Sequence, residues 1–471
     1  MRSLQQQALL PDLTRWRLIL RLALPIMAGM LSQSLMNLVD AALVGRLGET
    51  ELAAAGIGGY AMFMVTACLF GLSSGVQAQV ARRHGERHQT PVASAAAEPG
   101  VELRHDPRGE PLAAGLTLAV MIGLPLMALC LWQAGPIMAW LNDDPRVTSM
   151  AVDYFRWRLI ALLPVAMIFC YRGYWNGIQQ TGLYLRIMLV MHLVNLLASI
   201  GLIFGYWGLP AMGVSGAGLG SSLSLFAGVA IWAWLSHTPG HRGTRHRPCH
   251  SPWRLGGSTM ATTLKLATPH SFQQLWFAAG YAVLFWILGQ VDTASVAVGH
   301  VLVNLSLLLI LPGVGLGMAA MSLVGEALGR ESPERAHRWG WEVVHMAWLL
   351  LAALSLPMAL MPEAVLGLFL HDPELIALGV DPLRLTALMI VLDAAALVFT
   401  QALLGAGANR TVMQMTLTGQ WLVFLPLAWW FGVHEGFGLA GIWWCQLGYR
   451  ALNSLCFAVI WQRRRWQSLK V

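Results

Sequence analysis

Residues 22–48 read LALPIMAGMLSQSLMNLVDAALVGRLG, and from Leu22 to Val44 the only charged side chain is Asp40. An α-helix needs about 20 apolar residues to cross the hydrocarbon core of a bilayer. This stretch is long enough to do so. Comparable runs occupy Leu112–Trp132, Ile187–Tyr206 and Val343–Met361. They are continuous, whereas the strands of a membrane β-barrel alternate apolar and polar residues in segments of about ten. The spanning elements are therefore helices.

The rest of the chain agrees. Of 471 residues, 56% are hydrophobic and only 11% are charged. A soluble domain carries about 25% charged residues, so most of this surface must face lipid. The net charge of +7 would suit an acidic partner such as nucleic acid, but the arginines are distributed otherwise. They gather at Arg15/Arg17/Arg21, Arg82/Arg83/Arg87, Arg242/Arg245/Arg247/Arg254, Arg335/Arg338 and Arg463/Arg464/Arg465. These are alternate connections, as expected of the cytoplasmic side of a membrane protein. The connections between them, around Gly48–Glu51, Asn142–Asp144, Trp207–Gly213, Asp292 and His371–Glu374, are acidic or poor in basic residues. Both termini are thus expected in the cytoplasm, in an inner membrane. No cleavable signal is expected, and no role with nucleic acid. The six cysteines show no metal-ligand spacing, and no cofactor is expected.

Hydropathy places helices near 18–45, 55–81, 112–135, 150–176, 183–206 and 214–236. A second set falls near 263–288, 295–325, 340–361, 381–405, 411–432 and 437–462. An internal repeat relates the two sets. Leu22-Ala-Leu-Pro25 matches Leu266-Ala-Thr-Pro269, Gly45 matches Gly289, and Gly71–Gly85 matches Gly315–Gly329, all at an offset of 244. Asp144-Pro145 pairs with Asp372-Pro373, Asp153/Arg156 with Asp381/Arg384, and Gly177 with Gly405, all at 228. The difference, 244 − 228 = 16, points to an insertion in the polar segment 84–111. The expected organisation is an all-α integral membrane protein with twelve transmembrane helices in two six-helix bundles. The lobes would be 1–236 and 258–471, joined by a cytoplasmic linker at 237–257 and related by a pseudo-two-fold axis along the membrane normal.

An ionisable group inside a bilayer is costly and by default functional. Two carboxylates meet that description. Asp40 lies five residues before Gly45, roughly 7–8 Å from the outer helix end. With Gln33 and Asn37 it forms a polar stripe on one helix face. Asp393 lies near mid-membrane, with Val391-Leu392 before it and three alanines after it. Their repeat-equivalent positions hold Leu284 and Val165, so symmetric packing does not require either acid. The plainer reading, a hydrogen bond that holds helices together, stands beside both. Asp153/Arg156 and Asp381/Arg384 read as structural pairs at outer helix starts. Gly177–Gly182 and Gly405–Asn409 read as tight turns, because they lack the Lys-Ser/Thr of a phosphate loop. No nucleotide-binding domain or ATPase subunit is implied.

The segments Leu24-Pro25, Asn37-Leu38-Val39-Asp40, Val44–Gly48 and Ala53-Ala54-Ala55-Gly56 resemble the start of multidrug and toxic compound extrusion (MATE) transporters. Asp393-Ala-Ala and Leu403–Gly407 resemble the tenth helix of the NorM-like branch. The resemblance runs from about Leu18 to Arg463. It implies export of small cationic drug-like molecules in exchange for H+ or Na+, by a protein expected to be a monomer. It matches Asp40 to an amino-terminal cation site with Asn195 as partner, which makes these two residues a candidate Na+ site. Ser199 and Ser221 stand at neighbouring positions of that site. Asp393 matches a tenth-helix carboxylate. Phe277 stands where the seventh helix of NorM-like members carries glutamate, with Gln273 and Gln274 about one turn earlier. The candidate coupling and substrate-cavity residues are therefore Asp40, Asn37, Gln33, Asn195, Ser199, Ser221, Asp393, Gln273 and Gln274. One carboxylate suffices for a proton and is thin for a dedicated sodium site, so H+ is favoured. A lipid-linked oligosaccharide flippase is the alternative. It would line its cleft with Arg or Lys, and the basic residues here are expected near helix ends.

Overall fold

The computed structural model describes residues 13–87, 107–237 and 257–469. Most of the 84–111 insertion and of the 237–257 linker lies outside the described residues. Among those described, every regular element is helical. Among the described residues twelve helical segments follow one another, six in each half of the chain. The first six are α1 (Leu13–Gly45), α2 (Glu49–Arg87), α3 (Gly109–Trp132), α4 (the pair Pro145–Leu159 and Leu162–Gly177), α5 (Thr181–Phe204) and α6 (Val214–His237). The second six are α7 (Gly257–Val291), α8 (Thr293–Gly329), α9 (Pro333–Leu360), α10 (Pro373–Gly405), α11 (409–434) and α12 (Gly438–Gln462). Short helices at Ala134–Leu141 and Pro362–Leu366 precede α4 and α10. Nine of the described helices are long and apolar enough to cross a membrane, and α4, bent by 47°, makes a tenth. In α11 two π-helical stretches, Thr418–Phe424 and Trp430–His434, flank Leu425–Trp429. Pro426, which has no N–H to give the preceding turn, sits between them. Large apolar side chains such as Leu349, Leu356, Leu360 and Trp132 point outward, as they must where the solvent is lipid.

Sequence placed several helix starts too late, those at 150 and 381 among them. These two begin at Pro145 and Pro373, where Asp144 and Asp372 accept hydrogen bonds from the N–H groups of Arg146 and Glu374, both at 2.9 Å. Asp before Pro is a strong helix-start signal, since the carboxylate satisfies an orphan donor and proline at N1 forfeits none. Asp153 and Asp381 are therefore inside their helices, not at the starts. Asp381 pairs with Arg384 at 3.5 Å on an exposed face. The two glycine turns do form, with Gln179 at φ 63° and Gly407 at φ 88°.

The chain packs as two compact units. One is Ala28–Phe272. The other runs from Gln273 to Leu469 and includes Leu13–Met27. The divisions fall inside α1 and α7, two residues after Pro25 and three after Pro269, the pair matched by the repeat. In the first unit, α2 and α4 pack around Leu72, Val76, Phe155, Leu162 and Tyr174. The beginning of α7 joins them through Ser271 Oγ, which accepts from the Gly71 N–H at 2.9 Å, and Gln79, which donates to Thr263 Oγ1 at 2.7 Å. The second unit centres on α10, against which α8, α9 and α12 lie. There Gly317 lets α8 approach the Leu397 carbonyl, 2.9 Å from where a β-carbon would sit. Trp461 stacks on Phe399 at 5.2 Å and on Trp466 at 4.0 Å.

Candidate functional site

In the first unit three helices converge on Asp40. Asn195 Nδ2, from α5, donates to Asp40 Oδ2 at 3.0 Å and to Oδ1 at 3.3 Å. Ser221 Oγ, from α6, donates to Oδ2 at 3.5 Å. Ser199, one turn beyond Asn195 on the same face of α5, donates to Asn195 Oδ1 at 3.1 Å. That bond holds the amide so that its N–H side faces the carboxylate. Asn195, Ser199 and Ser221 are buried, while Asp40 is half-buried. Close approach of α5 and α6 makes this geometry possible. A β-carbon on Gly220 would lie 2.7 Å from Ser199 Oγ and 2.8 Å from its backbone nitrogen. Sequence placed Gln33 and Asn37 on the same stripe as Asp40. They bond to each other at 3.1 Å on an exposed face, and no hydrogen bond joins either to Asp40.

Two further groups stand near this cluster. Arg158, in the last turn of the first segment of α4, lies within electrostatic range of Asp40, and its side chain makes no hydrogen bond or ion pair among the described residues. His192 on α5, one turn before Asn195, meets Ser32 of α1 at 3.1 Å through Nε2. Neither was legible as a neighbour of Asp40, because the contacts join residues far apart in sequence.

In the second unit Asp393 is buried on α10, and the space around it is not apolar. Arg450 Nη1 donates to Asp393 Oδ2 at 2.6 Å, and Arg450 Nη2 to Tyr281 Oη at 3.4 Å. Arg450 is the thirteenth of the 25 residues in α12. The expectation that basic residues stay near helix ends is therefore corrected. The signal was present, since Gln446, Tyr449 and Arg450 interrupt an apolar segment at helical spacing. Gln273 is buried and donates to Thr416 Oγ1 at 3.2 Å, which ties α7 to α11. Gln274 is half-buried beside it. Phe277 accepts at its carbonyl from Gln420 Nε2 at 3.2 Å and sets its ring edge-on to Tyr281. The structure thus gathers Asp40, Asn195, Ser199 and Ser221 into one cluster. It leaves Gln33 and Asn37 outside that cluster, and places Asp393, Gln273 and Gln274 in the other unit.

Such a chain is a polytopic helical membrane protein with an intramembrane carboxylate held by neutral donors from two other helices. The model of the MatE family matches residues 25–98, 108–201 and 269–430, well over half of the chain, and the chain belongs to that family. It is 28% identical over 456 residues to the "Probable multidrug resistance protein NorM" of Mesorhizobium japonicum, a match covering 95% of this chain and 94% of that one. It is 27% identical over 432 residues to the "Multidrug resistance protein PmpM" of Pseudomonas aeruginosa, covering 90% and 86%. Among solved structures, one described as "Outward-facing conformation of a multidrug resistance MATE family transporter of the MOP superfamily" superposes with a TM-score of 0.85 at 20% identity, covering 96% of each chain. A MOP superfamily transporter from Pyrococcus furiosus superposes with 0.82 at 21%, covering 95% of each. At that level of identity the structures establish the shared fold.

Proposed function

We propose that this protein is a secondary antiporter that exports hydrophobic organic cations, with Asp40 as the acid that couples export to an inward flow of protons. The relatives named as multidrug resistance proteins and the family support the multidrug antiport reading. The observation that carries the choice of site is the cluster of neutral donors around Asp40. A lone carboxylate in a partly desolvated site holds one positive charge at a time. A proton and a cationic drug therefore displace one another, and that competition makes the exchange obligatory.

The same geometry favours H+ over Na+. A hard cation is held by several oxygen ligands. Here Asn195 presents its N–H side to the carboxylate, and its Oδ1 is occupied by Ser199. A sodium ion at Asp40 would require the amide to turn over and the Ser199 bond to break. A proton needs none of these changes, because Asp40 can take it on an oxygen and keep Ser221 and Asn195 as partners. The protein would work as a monomer in the inner membrane with both termini in the cytoplasm, consistent with its arginine distribution.

Drug efflux in inverted vesicles tests this directly. A pH gradient alone is expected to drive transport, and Asp40→Asn is expected to abolish it while leaving insertion intact. Transport driven by a Na+ gradient at clamped pH, with none from the pH gradient, would refute the ion assignment. Normal export by Asp40→Asn in a pump-deleted host would remove Asp40 from the mechanism.

A further inference from the structure

Asp393 and Arg450 face each other at 2.6 Å in the interior of the second unit, 2% and 8% exposed. Bringing either charge out of water alone is prohibitive, and a buried ion is retained only with a partner. Among the described residues Asp393 has no other polar partner. Its Oδ1 has no donor, so Arg450 alone balances its charge. The guanidinium is held in turn by Tyr281 Oη at 3.4 Å and by the Tyr449 ring, 5.9 Å from Cζ. The pair also sits within a ladder joining α10 to α12. Trp443 Nε1 donates to Thr386 Oγ1 at 2.9 Å, and Ser454 Oγ accepts from the Ala396 N–H at 3.0 Å. The three rungs join residues 57, 57 and 58 apart in sequence. That constancy means the two helices run parallel in one fixed register, with Arg450 delivered to Asp393 by the fold.

We propose that Arg450 is the resident cation of the Asp393 carboxylate. It occupies the position that an imported monovalent cation would take, and so closes the second unit to ion coupling. The statement about coupling rests on the reading of Asp40 as the exchanging acid, whereas the occupancy of Asp393 by Arg450 does not. Removing the guanidinium would leave an oxygen-rich cavity, made of the Asp393 carboxylate, Tyr281 Oη and Gln446, which lines the same cavity as Arg450 and whose Oε1 has no partner. Such a set suits a small hard cation, so Arg450 sets ion specificity through its charge.

Thermal unfolding of the full-length protein in detergent, in sodium chloride against choline chloride at equal ionic strength, reads this without transport. Asp40→Asn is the background throughout, which silences the first site. In that background the melting temperature is expected to be the same in both salts. Adding Arg450→Met is expected to lower it in choline and to create an upward shift of several degrees in sodium. Adding Asp393→Asn as well should abolish that shift and recover the stability lost in choline. Arg450→Lys, which restores the cation, should again be insensitive to sodium. The proposal is overturned if the Asp40→Asn protein already responds to sodium and loses the response with Asp393→Asn/Arg450→Met, a comparison that needs no unpaired charge to fold. It is equally overturned if folded Arg450→Met shows no response. Failure of the Asp40 reading would appear in the vesicle experiment and leave these melting curves unchanged.

Discussion

A β-carbon at position 220 would stand 2.7 Å from Ser199 Oγ, 2.8 Å from its backbone nitrogen and 2.9 Å from its Cα. Non-bonded carbon atoms rest at about 3.5–4.0 Å. Two of these three neighbours are backbone, so no rotamer change relieves the clash, and Gly220→Ala must push α5 from α6 by roughly 0.5–1 Å. Overpacking of this kind costs about 1–3 kcal/mol. The functional consequence is sharper, because Ser221 Oγ reaches Asp40 Oδ2 at 3.5 Å, the outer limit of a hydrogen bond. Widening the seam breaks that contact. A hydrogen bond this long sits near the lower end of the usual net contribution of about 0.5–1.5 kcal/mol, which predicts roughly two- to threefold weaker export. The control is Gly216→Ala one turn away, whose β-carbon would lie 2.6 Å from the Leu202 carbonyl carbon and 2.9 Å from the Ile203 nitrogen. It strains the same seam without touching the site. Dye efflux in a pump-deleted host, normalised to protein in the membrane, is read beside melting of purified protein. Equal loss of export per degree of lost stability in the two variants would show that the seam acts only through folding. Wild-type behaviour of Gly220→Ala in both assays would refute the packing itself.

Two further outcomes follow from the fold. Asp372→Ala removes the cap of α10 and is expected to cost about 0.5–2 kcal/mol, measured as a lower melting temperature, while export per folded molecule stays unchanged. Shortening the chain by 16 residues within 88–106, the excess indicated by the two repeat offsets, is expected to spare export. Loss of export with normal membrane insertion would give that stretch a role.

The spans were legible because lipid imposes a strong pattern. Each stretch of about 20 apolar residues is a helix or is not tolerated, and the repeat-matched Pro25/Pro269 and Gly177/Gly405 confirm the order of elements. Helix starts were less legible, since hydropathy marks where lipid begins, whereas Asp144-Pro145 and Asp372-Pro373 mark where hydrogen bonding begins. At the site, helical spacing alone put Gln33 and Asn37 on the Asp40 stripe, but the carboxylate turns to α5 and α6 instead. Donors from another helix cannot be read from periodicity. Family resemblance supplied Asn195, Ser199 and Ser221, and the structure brings each into the cluster.

Arg450 shows the limit from the other side. Asp393 looked like an isolated acid because its chain neighbours are apolar, while the residue that neutralises it lies 57 positions away. A charge in a membrane segment cannot be interpreted until its counter-charge is located. The repeat sharpens the point. It builds two similar six-helix scaffolds but puts Leu284 opposite Asp40 and Val165 opposite Asp393, so the halves share packing and differ in charge. One acid accepts hydrogen bonds from Asn195 and Ser221, neutral donors on two other helices. The other is balanced by a guanidinium that cannot leave. The exchange proposed for Asp40 would need this asymmetry, because a second exchangeable acid would let drug and coupling ion bind together and uncouple their movement.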